Sequence, residues 1–298
     1  MTRIALLGCG PWGRLILRDL IELGVGVDVW SHGAESRVYA SLHGAHRVYD
    51  NIDDLPVPDG FVISTNTTSH AAMIDAVAGV GVPIFVEKPL CVDPDDAKRF
   101  ADQLNGQLFV MDKWRYHAGV LVLATVARSG DLGEVVGLRT TRVGFSKNHQ
   151  DTDALMILAP HDLSIYREIV GAPPPVTSSY GFTDGNGRIR HANVTCWAES
   201  APWHALEIST CSPIERREVS VVGTDGTAIM TGGYANHIAI QRDKGTEELT
   251  FAANMPLLEE LSAFVNFLGD GPPPKSAVRE SALIVQRLHE IRQTLNQR

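Results

Sequence analysis

The residue of this chain best placed to do chemistry is a lysine held between an acid and a proline. Residues 83–89 read Pro-Ile-Phe-Val-Glu-Lys-Pro, an apolar β-rich run that ends at Lys88. Because a proline biases the residue before it towards extended backbone, Lys88 is predicted to lie at the carboxyl end of a strand. In an open parallel sheet, ligands bind at that edge. The alternative is a surface lysine in a strand-exit turn, and the neighbouring motifs decide between the two.

A glycine-rich turn lies near the start of the chain. An apolar strand pattern over residues 3–7 runs into Gly-x-Gly-x-x-Gly, and a helix pattern follows that ends at Gly24. Glycines in this order allow a tight turn, close approach of a pyrophosphate and close helix-to-strand packing. A proline suits the first helical position because no amide donor is needed there. The sequence therefore predicts a dinucleotide site at Gly8, Gly10, Pro11, Trp12 and Gly13.

The end of the second strand, residues 25–30, bears on the choice of cofactor. NAD sites usually carry an acid about 20 residues after the glycines, which binds the ribose hydroxyls. Here the strand is followed by Ser31 and His32, with Arg37 close behind. A serine, a histidine and an arginine without a carboxylate favour the 2′-phosphate of NADP(H). NAD(H) is the alternative, because Asp28 lies within the strand and Arg37 can equally be a solvated helix residue.

A small polar loop follows the fourth strand pattern. It includes Thr65 and Asn66, and its composition suits a loop that lies over a ribose or a pyrophosphate. His70 opens the next helix, and a helix-capping role is the favoured one for a lone histidine at that place.

The order of patterns predicts the architecture. Strands alternate with helices up to residue 111, which predicts a parallel sheet with right-handed crossovers. After residue 117 a helix over 119–129 is followed by a run of strands separated by turns, which reads as an antiparallel sheet. Two amphipathic helices close the chain. We therefore predict an α/β domain over residues 1–117 and an α+β domain over 118–298, with the last helix able to pack back on the first domain.

Composition excludes several classes of function. The chain has 298 residues, a hydrophobic content of 44% and a formal net charge of −9. This charge argues against a nucleic-acid partner, which requires a basic face, and no apolar run approaches the roughly 20 residues of a membrane span. The four cysteines are scattered, which favours reduced thiols over disulfides or a metal site. A strand pattern begins almost at Met1, so we expect no signal peptide and a cytoplasmic location.

The order of these motifs resembles the Gfo/Idh/MocA oxidoreductases along essentially the whole chain. The matching motifs are the glycine fingerprint, His70 after the Thr-Asn loop, Glu87-Lys88-Pro89, Trp114-Arg115, Gly-Asp-Leu-Gly at 130–133 and Pro-His-Asp-Leu at 160–163. The resemblance implies an N-terminal Rossmann dinucleotide-binding domain and a second domain with an open, mostly antiparallel sheet. That sheet often forms homodimers or homotetramers. The resemblance also implies a cis bond before Pro89, and cofactor contacts from His70, residues 87–89, Trp114 and Arg115.

The resemblance also implies a catalytic pair, Lys88 and His161. Hydride transfer between a carbon bearing oxygen and a nicotinamide requires a proton to move on or off that oxygen. A lysine can polarise the oxygen, and a histidine can exchange the proton near neutral pH.

One position departs from the family pattern. Members commonly carry an aspartate four residues before this histidine, where a carboxylate on the same helical face would orient the imidazole; here the residue is Ile157. Three explanations are open. Asp153, Asp162 or Tyr116 supplies the missing group; Lys88 and His161 suffice, as for reduction of a ketone or imine; or the protein binds dinucleotide without turnover.

These inferences predict an NAD(P)-dependent oxidoreductase, with NADP(H) favoured, that acts on a sugar-like substrate such as a nucleotide sugar or a cyclitol. Imine reduction and a catalytically silent dinucleotide sensor are the alternatives. The candidate pocket residues are less specific, since each suits an ordinary sheet or loop position: Lys147, Asn148, His149, Trp197 and Trp203.

Overall fold

The structure is a computed structural model that describes residues 2–145 and 152–296. Lys147, Asn148 and His149 therefore lie outside the described residues. Internal contacts divide the chain into two compact units. The described residues of Met1–Lys113 and Met255–Val285 form the first unit, and those of Trp114–Asn254 and Gln286–Arg298 form the second.

The described residues form α-helices in both units. They are α1 Pro11–Glu22, α2 Ala34–Leu42, α3 His70–Ala78, α4 Pro94–Gln103, α5 Ala118–Ser129, α6 Ala154–Ile169, α7 Pro256–Leu268 and α8 Val278–Asn296. None of the helices in the described residues is long and apolar enough to cross a membrane.

The first unit is built on a parallel sheet, as the alternating pattern predicts. Its strands are β1 Arg3–Leu7, β2 Gly26–Trp30, β3 Arg47–Tyr49, β4 Gly60–Ile63, β5 Ile84–Glu87 and β6 Leu108–Met111. The order is β3-β2-β1-β4-β5-β6 with every neighbouring pair parallel. This is the order of a doubly wound dinucleotide-binding sheet, and it confirms the predicted Rossmann fold.

Both faces of this sheet are covered, which explains why its strands read as continuous apolar runs. Ile4 and Leu6 of β1 point into one apolar cluster, whereas Ala5 and Leu7 point into the other. The first cluster contains the apolar face of α1 together with α7, although α7 comes after residues 114–254 of the second unit in the chain. The start of α8 contributes Val278 and Val285 to the other cluster.

The second unit is built on a mostly antiparallel sheet, as predicted. Its strands are β7 Val135–Phe145, β8 Val176–Thr183, β9 Ile189–Ala198, β10 Ala201–Ser209, β11 Cys211–Gly223, β12 Thr227–Thr231, β13 His237–Arg242 and β14 Gly245–Thr250. The order is β14-β13-β12-β11-β7-β10-β9-β8, and the β7–β10 pair is parallel. The sequence pattern did not predict β13 and β14.

Helices α5 and α6 contribute to the apolar core of this unit. Val120 and Leu123 of α5 and Ile165 and Tyr166 of α6 share one buried cluster with sheet residues such as Val221. Helix α5 ends at Gly130, whose φ of 84° is the left-handed conformation that glycine adopts readily.

The packing of α7 gives a stability prediction. Phe264 is fully buried and stacks on Phe85 of β5, with ring centroids 4.9 Å apart. We expect Phe264→Ala to lower the free energy of unfolding by about 3–5 kcal/mol, because it removes an aromatic ring from a packed core. Urea denaturation measures this, with Asn266→Ala at an exposed position of the same helix as the control. An effect of Phe264→Ala no larger than that of the control would contradict the assigned packing.

Candidate active site

The parallel sheet brings most of the predicted cofactor-binding residues to one edge. Gly8 follows β1, Ser31 follows β2, Thr65 and Asn66 follow β4, and Lys88 follows β5. Because the strands are parallel, these positions all lie at the carboxyl edge of the sheet, where ligands of such sheets bind. The site residues Trp114, Arg115 and His161 belong to the second unit.

The glycine turn is closely packed where it meets the sheet and open where a ligand would approach. Gly8 has a φ of 97°, and a Cβ there would lie 2.7 Å from the carbonyl oxygen of Ser64. A Cβ at Gly13 would meet the Gly8 carbonyl. A Cβ at Gly10 would meet no atom of the described residues within 4 Å. Each glycine thus fits the role that the dinucleotide fingerprint assigns to it.

The start of α1 also fits a pyrophosphate. Gly10 is the N-cap, no side chain caps the helix, and Pro11 stands at the first helical position. The amides of an uncapped first turn and the positive end of the helix dipole form an anion site. The residues present therefore suit an NAD(P) cofactor, which Gly8, Gly10 and the first turn of α1 would hold.

The residues that follow β2 are bonded to Arg37 of α2. Arg37 donates through Nη1 to the carbonyl oxygens of Ser31 and His32, both at 2.7 Å. Asp28 is buried and ion-paired with Arg3 at 2.6 Å, so the guanidinium of Arg3 already compensates its negative charge. Within the described residues Arg37 forms no ion pair with a carboxylate, and its guanidinium lies beside the last residues of the strand.

His70 connects the two loops on either side of it. It is buried, with Nδ1 2.9 Å from the carbonyl oxygen of Pro89 and Nε2 3.2 Å from that of Thr65. The N-cap of α3 is Ser69, so the capping role favoured from the sequence is wrong. The histidine instead fixes the polar loop after β4 to the turn that carries Lys88.

The lysine turn is joined to the glycine turn by a side-chain hydrogen bond. The Lys88–Pro89 peptide bond is cis, as the resemblance implies. The indole N–H of Trp12 donates to Glu87, and the other Glu87 oxygen accepts the amide of Lys88 at 3.0 Å. Lys113 places its ammonium 4.5 Å from the centroid of the Trp12 ring, a cation–π contact. Trp12 is therefore held by Glu87 and Lys113.

Three buried acids lie around this connection, and no spacing in the sequence predicts their grouping. Glu87, Asp112 and Glu260 of α7 are all at most 9% exposed. Burial raises the pKa of Glu87, and burial together with the charges of Glu87 and Asp112 raises that of Glu260 well above its ordinary value. Neighbouring carboxylates in a low dielectric cannot all ionise at little cost. Burial and these neighbouring carboxylates therefore favour the protonated form of Glu260.

The second unit contains a separate buried cluster around Trp114. The Arg142 guanidinium lies 4.6 Å from the centroid of the Trp114 ring and contacts both carboxylate oxygens of Asp162 at 3.3 Å. The rings of His161 and Trp114 meet at an interplanar angle of 66°, with centroids 6.4 Å apart. Trp114 thus contacts both the half-buried His161 and the buried ion pair.

Helix α6 places Ile157 and His161 one turn apart on the same face, because it continues through Pro160. Asp153 is engaged elsewhere, since it caps α6 by accepting the amide of Met156 and pairs with Arg292 at 2.8 Å. Asp162 is bound to Arg142. Arg115 is ion-paired with Glu168 at 3.1 Å.

Comparison with known proteins agrees with this geometry. Residues 2–108 match the Gfo/Idh/MocA family model, described as an oxidoreductase family with an NAD-binding Rossmann fold. A curated relative, scyllo-inositol 2-dehydrogenase (NAD(+)) of Bacillus subtilis, is 25% identical over 82% of this chain and 78% of its own length. Residues 2–108 form the NAD-binding Rossmann domain of the Gfo/Idh/MocA oxidoreductase family. Together these comparisons support an oxidoreductase with an NAD(P)-binding Rossmann fold.

Other relatives of the family match over a shorter span. UDP-N-acetylglucosamine 3-dehydrogenase of Acidithiobacillus ferrooxidans is 25% identical over 58% of this chain, and the chain spans about half of that relative, 55%. The crystal structure of that dehydrogenase covers 99% of this chain and 98% of its own with a TM-score of 0.87 at 20% identity. A 3-ketoreductase of Actinomadura kijaniata in complex with TDP-benzene and NADP also has a TM-score of 0.87, over 99% and 98% of the chains, at 16% identity. At these identities the structures show the fold.

The buried pair beside His161 gives a pH prediction. Burial raises the pKa of Asp162 from 3.8 to about 6, against the opposing charge of Arg142. Such an acid binds more protons folded than unfolded, so its contribution to stability is present at low pH and is lost as the pH rises through this window. We expect the free energy of unfolding of wild type minus that of Asp162→Asn to fall by up to about 3 kcal/mol between about pH 4 and pH 6.

Urea denaturation at several pH values tests this. Asp131→Asn, at an exposed position of the same unit, is the control for replacing an aspartate. If the free energy of unfolding of wild type minus that of Asp162→Asn instead rises with pH, Arg142 outweighs burial and holds the pKa of Asp162 below its ordinary value.

Proposed function

We propose that this protein is an NADP-preferring oxidoreductase that transfers a hydride between the nicotinamide and a carbonyl or alcohol carbon of a sugar-like molecule. The observation that carries the proposal is the position of Lys88. It follows β5 at the carboxyl edge of the parallel sheet, and Glu87 beside it bonds to Trp12 of the glycine turn. An ammonium is therefore fixed to the dinucleotide-binding elements.

The proposed roles follow from side-chain chemistry. When bound, the cofactor supplies or accepts the hydride. Lys88 polarises the substrate oxygen through its positive charge, and the Glu87 carboxylate that accepts the Lys88 amide fixes the turn. His161 gives or takes the proton of that oxygen, because an imidazole titrates near neutral pH. Trp114 contacts the imidazole, and the Arg142 guanidinium lies over the Trp114 ring and supports it.

NADP(H) is proposed over NAD(H) on the basis of Ser31, His32 and Arg37. A planar guanidinium after β2 can bind a phosphate through two hydrogen bonds. Asp28 is ion-paired with Arg3 and would not compete for this position. One structural neighbour is in complex with NADP, and another, an oxidoreductase from Agrobacterium radiobacter, is in complex with NAD+, so this fold accommodates both cofactors.

The substrate class rests on the relatives. Their names include an inositol dehydrogenase, a UDP-N-acetylglucosamine dehydrogenase and a 3-ketoreductase, all of which act at a hydroxylated or keto carbon. We propose the same class here, together with a cytoplasmic location and a homodimer or homotetramer formed through the second sheet.

Replacing either catalytic residue tests the proposal. We expect Lys88→Ala and His161→Ala to lower kcat by about 10²- to 10⁴-fold, the usual contribution of a positioned acid or base. The dissociation constant of NADPH should stay within about threefold for Lys88→Ala and within about twofold for His161→Ala. Reduced nicotinamide is followed by absorbance in a screen that includes scyllo-inositol and UDP-N-acetylglucosamine.

Lys98→Ala is the matched control, because Lys98 is an exposed lysine of the same unit that pairs with Asp102. It should leave kcat unchanged. A protein that binds NADPH tightly but shows no turnover of any hydroxylated or keto substrate, with Lys88 intact, would be a dinucleotide sensor and not an enzyme.

The cofactor preference is tested separately by fluorescence titration. We expect Arg37→Ala to weaken NADPH binding by about 10- to 100-fold, because it removes a charge-assisted hydrogen bond. NADH binding should change by less than twofold. Arg18→Ala on α1, whose side chain is 54% exposed, is the control. Tighter binding of NADH than of NADPH by the wild type would refute the NADP preference.

A further inference from the structure

A cavity lies beside the start of α6, within the second unit. It encloses about 280 Å³ of empty space, part of it open to solvent, and its lining includes Asp153, Ile157, Arg188, Arg190 and Thr210. Because part of this space is open solvent, the enclosed part suits a small group and not a whole nucleotide.

Two arginines lie together where strand β9 begins. Farther along β9, Ala192, Val194 and Cys196 form a buried row, because alternate residues of a strand share a face. Tyr166 of α6 stacks on His204, which lies opposite Cys196, so this row is the one that α6 covers. The pairing with β8 shifts register between Ile189 and His191, so Arg190 lies at an irregularity of the strand, and Arg188 directly precedes the strand. Both arginines line the cavity beside the start of α6.

The charges that face the cavity are predominantly positive. Asp153 is matched by Arg292 at 2.8 Å and also caps α6, so its charge is compensated. Arg190 is 3.7 Å from Asp184, and both side chains are about 30% exposed, so this is a long and solvated pair. Within the described residues Arg188 has no carboxylate within 4 Å. The positive end of the α6 dipole adds to the two guanidinium groups.

One donor in this cavity lacks an acceptor. The Nε–H of Arg190 is buried and has no hydrogen-bond partner among the described residues. Buried polar groups are almost always satisfied, so an orphaned guanidinium N–H in a cavity points to an acceptor that a ligand brings. A carboxylate or a phosphate would accept from it bidentately. The buried Thr210 provides a hydroxyl at the same cavity.

Ile157 gives the cavity its relation to His161. It lines the cavity, and His161 follows it by one turn on the same helical face, about 6 Å along the axis. A carboxylate at position 157 would repel an anion and compete for Arg190. Isoleucine leaves the arginines available, so its presence where the family commonly has aspartate agrees with an anionic ligand.

We propose that this cavity binds an anionic substituent, a carboxylate or a phosphate, of the molecule on which the enzyme acts. The substrate would then be an acidic or phosphorylated sugar-like molecule whose anion lies about one helical turn from the reacting group. The assignment to the substrate rests on the function proposed above. The binding of the anion through Arg190 does not.

Direct binding of matched probes tests the proposal. We expect the wild type with NADPH to bind D-glucuronate or glucose 6-phosphate at least tenfold more tightly than glucose in isothermal titration calorimetry. Preference for one of the two anions distinguishes carboxylate from phosphate, and inorganic phosphate should compete with the preferred probe. Arg190→Gln should lose at least tenfold in affinity for the anionic probe and little for glucose.

Arg242→Gln is the control, because Arg242 on β13 is 34% exposed and pairs with the single carboxylate Glu247, much as Arg190 pairs with Asp184. It should keep the wild-type affinity for the anion. Ile157→Asp is a second variant that leaves Arg190 in place, and it should also abolish the preference. Unchanged NADPH affinity and circular dichroism verify the fold.

Equal binding of charged and neutral probes, no binding of either anion, or equal effects of Arg190→Gln and Arg242→Gln would overturn the proposal. The two proposals fail differently. A chain that binds anions through Arg190 but has no turnover refutes the enzyme and keeps the anion site. An enzyme dependent on Lys88 that is indifferent to substrate charge refutes only this site.

Discussion

The first unit depends on the close contact between the ends of its central strands. The amide of Gly8 donates to the Trp30 carbonyl at 2.8 Å, and the amide of Ser64 donates to the Leu7 carbonyl at 2.8 Å. These two bonds extend the ladder just past β1 and β4, and they leave no space for a side chain at Gly8. Parallel strands alone would align their carboxyl ends only roughly. The added bonds fix the turns after three neighbouring strands against each other, so that a cofactor-binding edge exists before any cofactor is present.

The turn after β5 is fixed to that edge by polar side chains and not by the ladder. Glu87 accepts from Trp12, and His70 contacts carbonyl oxygens on two loops. Polar groups buried in this way are costly unless they are satisfied, and when satisfied they specify one arrangement. Glu260 of α7 belongs to the same cluster, where burial and the charges of Glu87 and Asp112 raise its pKa. The position of Lys88 is therefore determined by residues from very different parts of the chain.

Much of this was predictable from the sequence, and the physical reasons are local. Strands such as Arg3–Leu7 and Leu108–Met111 are short, apolar and bounded by glycine or charge, so their limits follow from pattern alone. Strand β14 was missed because every one of its residues is exposed at the edge of the sheet, and no apolar period marks it. The surface on which α7 packs could not be predicted either. An amphipathic face shows that a helix packs against the core, but it does not show which elements it contacts. The same holds for Glu260 and Arg190, whose neighbours come from distant elements.

The departure at Ile157 is understood from its surroundings. A charged group on one face of a helix must be matched by what that face meets, and here the face one turn before His161 meets a cavity that contains Arg188 and Arg190. The acids nearest in sequence are already paired, Asp153 with Arg292 and Asp162 with Arg142. A further carboxylate at this position would pair with Arg190 and close the cavity to anions. Selectivity for an anionic ligand and a carboxylate beside the histidine therefore compete for the same space on α6, and this chain has the side chain that keeps the positive charge accessible.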